Sequence, residues 1–123
     1  MFKWMVFIKR KKGMSREAFI DYYENHHAEL CRRLLPRSHI YRRNYLVHND
    51  PMFAPDGRGG AEAEMDFDVV TESVFSTREE AEALMNAFAN PEIMKQIQAD
   101  EANFVEPGHA KMYLVEVYQS PIP

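Results

Sequence analysis

Cysteine is nearly absent from this chain of 123 residues, because Cys31 is the only one. A single cysteine cannot form an intrachain disulfide, and it excludes zinc sites built on several thiolates. The chain is therefore compatible with a reducing compartment, and we expect the protein in the cytoplasm. Long apolar runs are absent too, since no segment approaches the roughly 20 residues that span a bilayer. We expect no membrane partner.

An excess of positive charge is absent as well, because the formal net charge is −4 at pH 7. This balance argues against general nucleic-acid binding. The basic run at residues 9–12 is short and isolated, which is typical of a solvated turn rather than a phosphate-binding stripe. Residues 1–8 are apolar except for Lys3, but further charges follow at once and no small-residue cleavage site comes after them. We therefore expect no secretory signal.

Apolar residues make up 46% of the chain, which is enough for the core of one domain covering residues 1–123. The segment 2–9 predicts a strand that is apolar on both faces. Ser15 is placed to cap a helix that ends before Pro36 and has an apolar stripe at spacings of three and four. Later patterns predict strands at 39–48, 67–75 and 111–119, helices at 77–88 and 91–104, and a loop at 49–60.

This order of elements predicts a ferredoxin-like βαββαβ fold, an α+β architecture with an antiparallel four-stranded sheet and helices on one face. Helices can cover only one face of such a sheet, whereas the first and last strands are apolar on both. The second face needs another cover, and a second copy of the chain is the simplest one. We therefore predict a homodimer joined sheet to sheet, which closes a dimeric α+β barrel.

Five segments, in order along nearly the whole chain, resemble one protein family. They are residues 8–19, residues 23–28 with the pattern Tyr-x-x-x-His-Ala, residues 41–45, the pair Asp68 and Glu72, and residues 100–104. This set resembles the EthD family, named for ethyl tert-butyl ether degradation, of the dimeric α+β barrel superfamily. The chain departs from the family pattern at Glu29, where the family often has proline, and in the loop at 49–60.

The resemblance implies the same fold and dimer. It also implies relatives that dehydrate, cyclise or isomerise polyketides, lactones and related ring compounds, typically without a cofactor. It singles out His27, which lies four residues after Tyr23 and therefore on the same helix face.

His27 is the main candidate for chemistry, because the ordinary histidine pKa of about 6.5 suits proton transfer near neutrality. A neutral His27 facing a helix–sheet pocket could remove a proton next to a carbonyl or protonate a leaving hydroxyl. The alternative is a packing histidine that is bonded to a strand carbonyl or to Asp68. His26 points about 100° away around the helix and is the second candidate base.

Polar residues on the strands complete the predicted site. Tyr41 and Asn44 could donate hydrogen bonds to a substrate oxygen, but their opposite parity lets at most one of them face a given pocket. Asp68 is placed to orient a histidine, whereas structural ion pairing is expected for Glu72. Catalytic roles are thus predicted for His27, Tyr41, Asp68 and His26, and substrate contacts for Tyr23, Asn44 and Trp4.

Cofactor motifs are missing from the sequence. It contains no His-x-x-x-His pair and no carboxylate cluster at ligand spacing, and the glycines at 57–60 do not form a phosphate loop. We expect neither a metal nor another cofactor, and we interpret the chain as a lyase, dehydratase or isomerase of catabolism acting on a cyclic or aromatic carbonyl compound. Two alternatives stay open: a non-catalytic small-molecule binding or accessory protein, and a haem-dependent oxygenase or peroxidase with a histidine ligand.

Overall fold

The computed structural model describes residues 2–47, 50 and 66–122. The predicted loop at 49–60 lies outside the described residues, except for residue 50. In chain order the elements are β1 (Phe2–Arg10), α1 (Arg16–Tyr22), a π-helical turn (Tyr23–His27), α2 (Ala28–Leu34), β2 (Ile40–Tyr45), β3 (Val69–Phe75), α3 (Arg78–Phe88), α4 (Pro91–Glu101) and β4 (Val105–Val115).

The strands form one sheet in the order β2-β3-β1-β4, and all three neighbouring pairs are antiparallel. β1 is a central strand, so that Trp4 lies between Ser73 of β3 and Leu114 of β4. Helices follow β1 and β3, whereas β2 leads to β3 without a helix among the described residues. This order confirms the predicted ferredoxin-like α+β fold.

Side-chain caps explain where the helices begin. Oxygen atoms of Ser15, Thr77 and Asn90 each accept a hydrogen bond from a backbone N–H in the first turn of α1, α3 and α4. These caps satisfy N–H groups that have no partner inside a helix. Pro91 begins α4, where its missing N–H costs no helical hydrogen bond. The predicted helix starts are therefore correct.

The face of the sheet that packs against the helices carries the core in two clusters. The first cluster joins Ile8 and Val69 of the sheet to Phe19, Tyr23 and Phe104, all at most 2% exposed. Burying each of these large side chains stabilises the fold by roughly 1.5–3 kcal/mol. The second cluster is built on Phe75, Ala81 and Leu84, with Phe2, Trp4, Leu35 and Phe88 packed against it.

The opposite face of the sheet mixes apolar and ionic groups. Met5 of β1 lies next to Glu72 of β3 in the register, and both point to this face with Val70. Glu72 is 8% exposed and forms ion pairs with Lys3 at 2.8 Å and with Arg42 at 3.2 Å. A buried carboxylate is tolerated because it is paired. Glu72 therefore has the structural role that its sequence position predicted.

The last strand departs most from prediction, because β4 begins at Val105 rather than at Lys111. The predicted helix at 91–104 ends earlier, at Glu101, and Pro107 and Gly108 lie inside β4. The pairing of β4 with β1 shifts its register in this stretch, and Gly108 has φ of +79°. A bulge of this kind accommodates a proline and a left-handed glycine within a strand.

Candidate functional site

The helix that carries the histidines widens into a single π-helical turn at Tyr23–His27. The Ala28 N–H donates to the carbonyl of Tyr23, five residues earlier, instead of to the carbonyl four residues earlier. Tyr23 and His27 are 2% and 4% exposed, and their ring centroids lie 5.4 Å apart. Such insertions are frequent at functional sites.

His27 is held by a carboxylate from α4. Its Nδ1 lies 2.8 Å from Oδ2 of Asp100, and its ring packs on Phe104 with centroids 4.8 Å apart. The other Asp100 oxygen accepts a hydrogen bond from the Tyr22 hydroxyl at 2.6 Å, and Asn103 donates to the Tyr22 oxygen at 2.8 Å. Because an ionised carboxylate only accepts, Nδ1 carries the proton and Nε2 is the basic nitrogen.

The basic nitrogen of His27 faces a thiol. Nε2 lies 3.5 Å from Sγ of Cys31, one helical turn later. Burial lowers the pKa of His27, while the hydrogen bond and charge of Asp100 oppose that shift. Burial raises the pKa of the Cys31 thiol to about 11. The pair at rest is therefore a neutral imidazole that accepts a hydrogen bond from a protonated thiol.

Hydroxyl groups continue the chain of polar contacts toward the sheet. The Tyr23 hydroxyl lies 2.6 Å from Oγ1 of Thr71 on β3. Tyr41 of β2 lies on the same face of the sheet as Thr71 and lines the cleft together with Cys31. Burial raises the pKa of both Tyr23 and Tyr41. Both phenols therefore stay protonated and can donate hydrogen bonds at neutral pH.

Tyr41 is positioned by an ion pair between the π-helical turn and β2. Arg43 donates two hydrogen bonds to the carboxylate of Glu24, at 2.8 and 2.6 Å, and Tyr45 donates a third at 2.5 Å. The Arg43 hydrogen bonds lower the pKa of Glu24, so this carboxylate stays ionised. The Arg43 guanidinium in turn lies 4.8 Å from the ring centroid of Tyr41. Bidentate pairs of this type fix geometry as well as energy.

A cleft of about 670 Å³ opens beside Tyr41 and Cys31. It lies where the end of α2 and the segment after it face β2, β3 and α3. Tyr41, Cys31 and Ser73 supply polar groups to its wall, whereas Leu35, Pro36, Phe75 and Leu84 are apolar. Charged groups line it as well: Glu29, Arg32, Arg33, Arg37 and Arg43. Its size and mixed lining suit a small organic molecule.

His27 itself is not part of the cleft wall. It lies behind Cys31, which lines the cleft and contacts Nε2 of the histidine. Asp100, His27 and Cys31 therefore form a continuous chain from α4 to the cleft, where Tyr41 of β2 lines the same wall as Cys31. A proton could pass along this chain without any group moving far.

Two of the predicted site residues lie on the helix-covered side but outside the cleft wall. His26 is exposed and stacks on Tyr22, with ring centroids 4.8 Å apart. Trp4 packs against the cluster of Phe75 and Leu84, two residues that line the cleft. The Trp4 Nε1 atom is buried and has no hydrogen-bond partner among the described residues. Trp4 thus supports the apolar wall from behind.

Two other predicted residues lie outside the cleft wall. The Asn44 amide donates to the Val70 carbonyl and to Glu72, each at 2.9 Å, so it faces away from the cleft, while Tyr41 faces it. Asp68 accepts a hydrogen bond from the Arg10 backbone N–H at 2.8 Å. The structure therefore gives the position beside the histidine to Asp100 and not to Asp68.

Sequence reasoning missed Asp100 and Cys31 as members of the site. Cys31 follows His27 by four residues, so the helix spacing alone could have suggested their contact. Asp100 belongs to a segment that resembled the EthD pattern, but its partner is 73 residues away in the chain. The sequence did not single out the arginines of the cleft, because basic residues are common near the C-terminal end of a helix.

The described part of the chain holds neither a metal-ligand cluster nor a membrane span. Within residues 2–47, 50 and 66–122, no three His, Cys, Asp or Glu side chains form a group that could hold a metal ion. None of the helices there is both long and apolar enough to cross a bilayer.

Comparisons with known proteins give one family and several similar folds. The model of the EthD domain matches residues 11–108. No curated protein has a significantly matching sequence. An EthD family protein from Bacillus halodurans has 20% identity and a TM-score of 0.62, with 96% of this chain and 99% of the other covered.

Two further solved structures are similar at low identity. A hydroxynitrile lyase from Passiflora edulis has 16% identity and a TM-score of 0.51, with 97% of this chain and 96% of that chain covered. A dimeric protein of ferredoxin-like fold from Bacteroides fragilis has 12% identity and a TM-score of 0.50, with coverage of 93% and 91%. At these identities the likeness establishes the fold alone.

Proposed function

The chain belongs to the EthD family, and we propose that it is a cofactor-independent lyase or isomerase that moves protons on a cyclic or aromatic carbonyl compound. One observation carries this proposal: the chain from Asp100 through His27 to Cys31 ends at the wall of a cleft. The similarity in fold to a hydroxynitrile lyase supports lyase chemistry on this scaffold.

Tyr41 would bind the substrate carbonyl in this mechanism. Tyr41 lines the cleft, and its protonated hydroxyl would donate a hydrogen bond to the carbonyl oxygen, where negative charge develops as a neighbouring C–H bond breaks. The C–H electron pair would enter the new C=C bond of the enolate. Arg43, which pairs with Glu24 and lies over the Tyr41 ring, adds positive charge to the same cleft wall.

Cys31 and His27 would take the proton. The substrate proton would pass to Sγ of Cys31 as the thiol proton moves to Nε2 of His27, so that one S–H bond forms while another breaks. The resulting imidazolium would be stabilised by Asp100, 2.8 Å away. Reversing these transfers would return the proton to a different carbon in an isomerase, or to a leaving hydroxyl in a dehydratase. General base catalysis of this type contributes roughly 10²–10⁴-fold.

Substitution of the buried histidine tests the enzymatic reading. In a screen of cyclic and aromatic carbonyl compounds, His27→Gln should lower turnover by roughly 10²–10⁴-fold, while ligand binding is retained. The matched control is His26→Gln, because that neighbouring histidine is exposed and does not line the cleft. Full turnover by His27→Gln would remove the histidine from the mechanism.

A non-catalytic binding protein is the second candidate, and the position of His27 behind Cys31 favours it. A histidine that does not line the cleft cannot touch a bound ligand directly unless Cys31 moves. This reading predicts that the wild type binds compounds from the screen without converting any of them. It also predicts that neither the His27→Gln nor the Cys31→Ala variant converts the compounds that it binds.

The haem alternative has less support in the geometry. A haem iron would need Nε2 of His27, but that nitrogen faces Cys31 and the ring is not on the cleft wall. The test is the absorption spectrum of protein purified from cells supplied with haem. A Soret band that is lost in His27→Gln would favour haem chemistry over proton transfer.

We also propose that two copies of the chain join through the sheet face opposite the helices. The dimeric state of the Bacteroides fragilis protein supports this arrangement. Apolar side chains remain open on this face, since Ile40 is 39% and Tyr113 is 52% exposed. Tyr113→Glu should therefore lower the mass measured by light scattering from dimer to monomer. Leu114→Glu is the control, because that half-exposed side chain points to the other face of the sheet. A monomeric wild type would contradict the proposal.

A further inference from the structure

The cleft beside Cys31 and Tyr41 has an unusual charge balance for this protein. Four arginines and one carboxylate line it, although the chain as a whole has a net charge of −4. A local excess of positive charge on an acidic protein attracts anions to that place rather than to the surface in general.

Two of these arginines are already neutralised by carboxylates. Arg32 forms an ion pair with Glu29 at 2.7 Å, and Arg43 forms one with Glu24 at 2.6 Å. Arg33 and Arg37 are exposed and have no acidic partner within the part of the chain that the structure describes. The cleft therefore presents two uncompensated guanidinium groups.

The end of α2 accounts for only part of this charge. The last turn of a helix carries partial negative charge, which favours basic residues such as Arg32 and Arg33 there. Arg37, however, lies three residues after Leu34, where α2 ends. The dipole effect is confined to the last turn, so it gives no reason for a third arginine beyond the helix.

The apolar wall of the cleft limits what such an anion can be. Leu35, Phe75 and Leu84 line the same cleft, so a bare inorganic ion would leave much of its surface unused. We propose that the cleft binds an organic acid, with its carboxylate paired to Arg33 and Arg37 and its ring against this wall. The inference rests on the proposed function, because it names the substrate class of the same cleft.

A guanidinium group suits this role because its planar N–H donors can bond both oxygens of a carboxylate. The exposed Arg33 and Arg37 would also orient the ring of the acid, so that a carbonyl group on that ring faces the less exposed Tyr41 and Cys31. Specificity for acids over neutral analogues would then arise at the arginines, and the choice of reaction would arise at Cys31 and His27.

A matched pair of probes tests the proposal without any turnover. Binding of 2-naphthoate and of the neutral 2-naphthamide to the full chain is measured by isothermal titration calorimetry at low salt. We expect 2-naphthoate to bind the wild type about tenfold more tightly, because two partly exposed arginines contribute on the order of that factor. The preference should shrink as salt rises, since exposed charges are screened.

The double substitution Arg33→Gln/Arg37→Gln should abolish this preference while 2-naphthamide binds as before. The control Arg78→Gln/Lys95→Gln removes two positive charges from exposed positions on α3 and α4, away from the cleft wall, and should keep it. Equal affinity of the wild type for both probes, no binding of either, or an unchanged preference in the cleft variant would overturn the proposal. His27→Gln should bind 2-naphthoate normally, so a failure of the catalytic proposal is distinguishable from a failure of this one.

Discussion

Replacement of Asp100 by asparagine tests the centre of the site without knowledge of the substrate. Asp100 accepts hydrogen bonds from His27 Nδ1 at 2.8 Å and from the Tyr22 hydroxyl at 2.6 Å, and its side chain is only 19% exposed. Asparagine has the same shape, but one acceptor oxygen becomes a donor NH₂ group. One of the two incoming donors must then lose its acceptor.

In the Asp100→Asn variant, we expect the amide oxygen to face His27, which keeps its Nδ1–H tautomer, and the amide NH₂ group to face the Tyr22 oxygen, which can accept as well as donate. That oxygen already accepts from Asn103, so the tyrosine proton would be left without a partner. The loss of one charge-assisted hydrogen bond and the weakening of another should lower the free energy of unfolding by about 2 kcal/mol. Urea denaturation at pH 7 measures this change, and Asp21→Asn is the control because Asp21 is exposed on α1.

The same variant has a second, sharper readout in the histidine ring. Nitrogen NMR of the wild type should show His27 as the neutral Nδ1–H tautomer at pH 7, because Asp100 holds that proton and burial lowers the pKa. Asp100→Asn should lower the pKa of His27 further, since the carboxylate that favoured the charged form is gone. A wild-type His27 with its proton on Nε2, or an unchanged pKa in the variant, would refute the proposed chain of contacts.

Two further predictions concern the neighbouring buried groups. Burial raises the pKa of Glu101 from 4.5 to about 7, so the folded chain holds a proton that the unfolded chain releases, and this group's contribution to stability falls as pH rises between those values. Glu101→Gln, compared with the exposed Glu79→Gln, should therefore be more stabilising at pH 8 than at pH 5 by about 1–2 kcal/mol, and parallel urea curves would contradict this. Tyr23→Phe and Thr71→Val each leave one hydroxyl without its partner, and each should lower the free energy of unfolding by about 1–3 kcal/mol. The double variant should lose about 1 kcal/mol less than the sum of the two single variants. Additive losses would disprove the hydrogen bond between the two hydroxyls.

Local geometry explains which parts of the site the sequence could predict. Tyr23 and His27 are four residues apart on one helix, and Tyr41 and Asn44 have opposite strand parity, so their relative directions follow from helix and strand periods. The capping residues and the order of elements follow from similarly short patterns. These features do not depend on how distant segments pack.

The parts that prediction missed depend on tertiary packing. Asp100 reaches His27 because α4 packs against the π-helical turn, and nothing within either segment specifies that approach. The bulge at Pro107 and Gly108 likewise depends on pairing with β1, since an isolated Pro-Gly pair is more often a turn. The π-helical turn itself has no sequence signature in this chain.

The contacts around His27 are uneven in strength, as the proposed role of this histidine as a base requires. A packing histidine was expected to bond a strand carbonyl or Asp68, but Nδ1 instead bonds Asp100, which Tyr22 also holds. Nε2 faces a thiol at 3.5 Å, and a thiol is a weak hydrogen-bond donor. The ring is thus fixed firmly on the side away from the cleft and weakly on the side toward it. Because the weak contact leads through Cys31 to the cleft wall, the proposed proton exchange would require no movement of the ring.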